Sequence, residues 1–271
     1  MAYFNTTDDY RLYFDEFGNK ELPAIIFTYD IGGKRSFFKK QIEGLKDSFR
    51  VITWDYRGCG AADHVHSQMN TERIAYDLSE LMEQLGLEKA VLAGSGFGSA
   101  VILNYIRIFG ESKVDRVILM DPSLKDIKDD TWQYGRLDNK KAAIDLMKRM
   151  TYGWDKFAPE LMNQMFGSGE QTMSEKETAS VKELFLKNSN AMMMPLMVAY
   201  ITEDNRETAS NVKCPVLVTA GGNRDSAYSE AMKRTAEVFS EGEYCELNGG
   251  TLHYLTDSEQ FNQKVKEFCG K

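Results

Sequence analysis

The feature that most constrains this chain is the stretch Ala90-Val91-Leu92-Ala93-Gly94-Ser95-Gly96-Phe97-Gly98-Ser99-Ala100, in which an apolar run enters a glycine-rich corner and continues into the apolar helix-like segment Val101 to Phe109. A corner this sharp between strand and helix follows the nucleophile-elbow pattern, small-x-nucleophile-x-small, because only small side chains fit two places either side of the central residue. Gly94-Ser95-Gly96-Phe97-Gly98 fits that frame and puts Gly96, which has no side chain, in the central slot. Moving the frame to centre on Ser95 puts bulky Phe97 where helix and strand must pass closely. The corner therefore presents a catalytic scaffold without its reactive atom.

Around this corner the chain alternates buried-type strands with amphipathic helices. Tyr3 to Asn5 and Tyr10 to Phe17 flank Thr7-Asp8-Asp9 as an opening antiparallel hairpin. Ala24 to Phe27 is a continuous apolar run suited to a strand covered on both faces, and Val51 to Trp54, Ala90 to Ala93, Arg116 to Met120 and Pro215 to Thr219 read as further strands. Between them the pattern predicts helices with Ser36 and Asn70 as N-caps, the second stopping at Gly86. From about 124 to 210 strand-like runs give way to polar, helical sequence, with a helix start expected at Asp129 to Trp132. That segment holds nine of the fourteen methionines. Flexible thioethers suit a wall that adapts to a small apolar ligand, and equally suit a seam that only fills space.

Strand–helix alternation implies a parallel sheet covered on both sides. With the elbow, the whole chain resembles the α/β-hydrolase superfamily, in the branch of small bacterial lidded hydrolases and chloroperoxidase-like proteins. Trp54-Asp55-Tyr56-Arg57-Gly58-Cys59-Gly60, Leu85-Gly86-Leu87-Glu88-Lys89, Cys214-Pro215-Val216-Leu217-Val218 and Phe261-Asn262 support the resemblance separately. It implies an α/β fold with a mostly parallel, eight-stranded, doubly wound sheet, a core domain of 1–123 and 211–271, and a helical lid, 124–210, inserted after the sixth strand.

The resemblance also assigns roles. The family acid follows the seventh strand in Gly-x-x-Asp, matched by Gly222-Asn223-Arg224-Asp225, so Asp225 is the acid candidate; Asp121, just after the sixth strand, is the alternative. The family base follows the eighth strand in a loop ending Gly-His, here Gly249-Gly250-Thr251-Leu252-His253-Tyr254, which offers His253 with Leu252 in place of the glycine. The oxyanion donors implied are the backbone N–H groups of Phe97 and of a residue near Ile31. The His-Gly that opens the latter loop in relatives is replaced by Tyr29-Asp30, which sets a carboxylate close to where negative charge would develop.

Loss of a serine nucleophile costs on the order of 10⁶ in rate. The sequence therefore favours a pocket over Gly96, lined by Tyr29, Phe97, lid methionines and His253, that binds a small molecule or supports general-base chemistry through His253 and Asp225. Ser95 is a further hydrogen-bonding candidate beside it. Two alternatives stay open: a conventional esterase- or lactonase-type serine hydrolase in which the serine at position 96 has been replaced, and a non-catalytic interaction module.

No cofactor or metal is called for: His64 and His66 stand two apart without an evident third ligand. A net charge of −8 argues against nucleic acid and anionic membrane as partners. Four widely spaced cysteines, together with first residues that lack a basic start and apolar run, give the expectation of a cytoplasmic protein.

Overall fold

The computed structural model describes residues 2–65, 68–167 and 173–270. Its eight strands are β1 Ala2–Asn5, β2 Arg11–Phe17, β3 Ala24–Thr28, β4 Arg50–Asp55, β5 Ala90–Ser95, β6 Val114–Met120, β7 Val216–Gly221 and β8 Gly242–Leu247. They form one sheet in the order β1-β2-β4-β3-β5-β6-β7-β8. The pairs β1/β2 and β2/β4 are antiparallel and all others parallel. The apolar runs account for the centre: β3, β4, β5 and β7 are buried at every position, as strands covered on both faces must be.

The helices are α1 Lys39–Leu45, α2 Thr71–Gln84, α3 Phe97–Phe109, α4 Lys140–Tyr152, α5 Trp154–Phe166, α6 Glu175–Leu186, α7 Asn190–Thr202, α8 Arg206–Asn211, α9 Ser226–Val238, α10 His253–Thr256 and α11 Ser258–Cys269. Asn70 caps α2, its side chain accepting from the Arg73 N–H at 2.8 Å, and Gly86 follows the helix at φ +63°. Two local expectations fail. Ser36 caps nothing, because Arg35–Phe38 is a single 3₁₀ turn ahead of α1. Asp129 and Trp132 form a bridge closed by reciprocal backbone hydrogen bonds rather than a helix start, and the first helix of the segment begins at Lys140, capped by Asn139.

Helices α4 to α8 fill the interval between β6 and β7. They are fastened to the strand-end loops by direct hydrogen bonds: Gly250 N–H to Phe166 C=O and Leu252 N–H to Met165 C=O, both 3.0 Å, and Asn188 Nδ2 to Gly32 C=O at 2.7 Å. Among the described residues no helix is long and apolar enough to cross a membrane. Of the two histidines two apart, His66 lies outside the described residues.

Candidate functional site

β5 delivers the chain to Gly96, whose φ of +48° and ψ of −110° turn it directly into α3. The flanking glycines define the frame. A Cβ on Gly94 would stand 2.5 Å from the Gly98 carbonyl carbon, and one on Gly98 would stand 2.8 Å from the Thr28 carbonyl carbon. Only hydrogen fits at both places, two residues either side of Gly96. Ser95 points elsewhere: it is fully buried beside Tyr254 and does not line the cavity described below.

The place above Gly96 is taken by Asp30. Its Oδ1 accepts two backbone hydrogen bonds, from Ile31 N–H and from Phe97 N–H, each 2.8 Å. A Cβ on Gly96 would lie 2.5 Å from that same oxygen. The two N–H groups that the sequence resemblance names as oxyanion donors are thus already occupied by the chain's own carboxylate. Burial pushes the Asp30 pKa up to about 6, against the two N–H groups and Arg136, which favour the anion, and with Asp121, which disfavours it. The carboxyl can therefore gain or lose a proton near neutral pH.

Asp225 and His253 are not brought together. Asp225 is exposed and caps α9, accepting from the Tyr228 N–H at 2.9 Å. His253 is completely buried at the start of α10, with Nδ1 3.2 Å from the Gly250 carbonyl and Nε2 2.8 Å from Thr219 Oγ1. A carbonyl only accepts, so Nδ1 carries the proton and Nε2 accepts from the threonine hydroxyl. Burial lowers the His253 pKa to about 4 and keeps the ring neutral. Neither nitrogen is left for a substrate. The residue that directly follows Gly250, where the Gly-His pattern puts its histidine, is Thr251, and Thr251 is the one that faces the cavity.

Asp121, the alternative acid, is buried at φ +52° just past β6. One of its oxygens accepts from the Tyr228 hydroxyl. Burial raises its pKa, and Arg224 and the Thr251 hydroxyl oppose that rise. It is not among the residues that line the cavity described below.

The cavity has a volume of about 270 Å³ and lies between α4, α5 and α7 on one side and the loops after β3, β7 and β8 on the other. Asp30, Ile31, Thr251 and Arg224 form its floor and mouth; Met165, Met193 and Met197 give it an adaptable apolar wall with Leu146, Phe157 and Leu161. Tyr29, Phe97 and His253, expected among its walls, do not line it. Tyr29 is buried under the loop with its hydroxyl donating to Asp55 Oδ1 at 3.2 Å, and Phe97 contributes only its N–H. Gly96 is covered by Asp30. Absent from the sequence reading is Arg136, a lining residue gripped by Asp126 through a two-pronged ion pair of 2.7 and 2.6 Å, its guanidinium 4.8 Å from the Tyr200 ring centre.

The family model for the alpha/beta hydrolase fold matches residues 23–213. The chain belongs to the α/β-hydrolase family. The AB hydrolase superfamily protein YisY of Bacillus subtilis is 24% identical over 269 residues, covering 98% of each chain. The 3-oxoadipate enol-lactonase 1 of Acinetobacter baylyi is 23% identical over 207 residues, 75% of this chain and 72% of that one. Among solved structures, the bromoperoxidase from Bacillus anthracis superposes with a TM-score of 0.89 at 19% identity, covering 100% of this chain and 99% of its own. The esterase from Exiguobacterium antarcticum gives 0.90, also at 19%, with the same coverage. This α/β hydrolase thus shares its architecture with those proteins.

Proposed function

We propose that this α/β hydrolase relative binds a small molecule non-covalently in the cavity beside Asp30, and that Asp30, rather than a serine and histidine, is the site's acid–base group. The observation that carries this reading is the pair of 2.8 Å hydrogen bonds by which Ile31 and Phe97 hold the Asp30 carboxylate in the oxyanion position. An acyl transfer needs those donors aimed at a developing oxyanion, and here an anion holds them before any substrate arrives. A carboxyl with a pKa near the working pH, open to a cavity on one side, is suited to proton exchange with a bound ligand.

The reading of a serine hydrolase altered only at position 96 finds less support, since a side chain there would collide with the Asp30 carboxylate and Thr251 would still follow Gly250. A 270 Å³ cavity with charged groups at its floor also favours a ligand over a solid interaction surface. The test is incubation with a fluorophosphonate probe and with p-nitrophenyl acetate, followed by intact-protein mass spectrometry. Unlabelled protein and no burst of nitrophenolate are expected. Stoichiometric labelling of any serine, Ser95 included, would overturn the reading.

A further inference from the structure

The charged groups around the cavity differ in how they are paired. Arg136 is already compensated by Asp126. Arg224, exposed at the mouth, makes no ion pair among the described residues; it donates to Thr251 Oγ1 at 3.1 Å and lies 3.9 Å from the Tyr228 ring centre, with buried Asp121 behind. Among the lining residues, Asp30 and Asp126 balance Arg136 and Arg224 when Asp30 is ionised, and a protonated Asp30 leaves one positive charge in excess. The remaining titratable groups that face Asp30 are Tyr56 beyond β4, Tyr200 on α7 and Tyr254 on α10, all kept neutral by burial, and Asp121, whose burial favours its neutral form. Of Asp30 and Asp121, Asp30 is the one that lines the cavity.

We propose that the cavity takes a small monocarboxylate, seated on Arg224 and the Thr251 hydroxyl with its apolar body against Met193, Met197 and Phe157, and that each molecule bound draws one proton from solvent onto Asp30. This rests on the non-covalent reading above. The guanidinium fork suits a carboxylate better than it suits an ester. A second carboxylate entering beside an ionised Asp30 would meet like charge in a poorly solvated space, and protonation of Asp30 removes that repulsion and supplies a donor. No bond to carbon forms or breaks; the only transfer is the proton from water to the Asp30 carboxylate. A void of roughly 150 Å³ accommodates benzene, so about 270 Å³ admits benzoate.

Benzoate is the probe and benzamide its neutral control, followed by calorimetry in buffers of different ionisation enthalpy. Close to one proton taken up per benzoate is expected at about pH 7.5 and almost none near pH 5, with affinity falling about tenfold per pH unit above 6. Benzamide binds at least about tenfold more weakly near pH 5. Arg224→Gln weakens benzoate by about tenfold or more and Arg224→Lys recovers part of it; in Asp30→Asn the pH dependence disappears. Benzoate binding without proton uptake, equal binding of benzamide, or no saturable binding of either overturns the proposal. The non-covalent reading fails by a different readout, a covalent mass increase with the fluorophosphonate probe.

Discussion

Gly96 and Asp30 are mutually dependent: the Asp30 Oδ1 that accepts from Ile31 and Phe97 lies 2.5 Å from where a Cβ on residue 96 would stand, closer than non-bonded atoms approach. The carboxylate keeps its place only because residue 96 has no side chain. The absence of a side chain at position 96 and the seating of Asp30 on the Ile31 and Phe97 N–H groups are one arrangement seen from two sides.

Gly96→Ser should therefore cost stability twice, through the φ of +48° and through displacement of Asp30. A loss of about 1–3 kcal/mol is expected in denaturant melts. In the Asp30→Gly background the same substitution should cost at least about 1 kcal/mol less, because the clash is gone while the backbone strain remains. Additive penalties would mean the two residues do not meet.

Gly98→Ala tests the corner itself. Its Cβ would press on the backbone carbonyl of Thr28, which belongs to β3 and cannot step aside without disturbing its pairing with β4 and β5. A destabilisation of about 2–3 kcal/mol is expected. A neutral substitution would show that α3 and β3 are further apart than described.

Asp30→Asn should change the pH dependence of stability in a definite direction. The folded state holds the Asp30 proton more tightly than the unfolded chain, with a pKa raised to about 6 from 3.8. The group's contribution is accordingly complete below its unfolded pKa and is lost as pH rises through 6. Asparagine keeps an oxygen for both N–H donors and has no charge to bury. The variant should match the wild type near pH 4 and exceed it by about 1–3 kcal/mol near pH 7.5, read as the difference between their melting curves. A difference that is constant with pH would contradict the placement.

Hydrolysis should return only when the whole site is rebuilt. Gly96→Ser alone should stay inactive toward p-nitrophenyl acetate, whereas Gly96→Ser with Asp30→Gly and Thr251→His frees the donors and sets an imidazole in the cavity. A gain of about 10²-fold or more over the single variant is expected. A comparable gain without Thr251→His would return the role of base to His253.

The fold was legible because the β strands carry their signal in consecutive residues: Ala24 to Phe27 and Ala90 to Ala93 are apolar without interruption, and the glycines at 94, 96 and 98 mark the turn between them. The site was legible where chain neighbours determine it, as with Asp30 beside Ile31. It was not legible where partners come from distant or irregular segments. Asp126 and Arg136 meet across a bridged loop that has no helical or strand period. His253 attracted the role of base as the histidine nearest the end of its loop, but the turn after β8 makes Thr251 the outward position and sends His253 inward to Thr219. Counting from Gly250 was the signal that distinguishes them. Asp225 matched the family spacing, and a helix N-cap at the start of α9 explains an aspartate at that position equally well.

The proposed occupation of the oxyanion position by Asp30 is tested most directly by the amide proton of Phe97, 67 residues away from Asp30 in sequence. Followed by NMR across pH 4–8, the Ile31 and Phe97 amide resonances should move together with a shared midpoint at about pH 6, and both should stop titrating in Asp30→Asn. A Phe97 amide that does not titrate, or one that titrates unchanged in Asp30→Asn, would contradict the account.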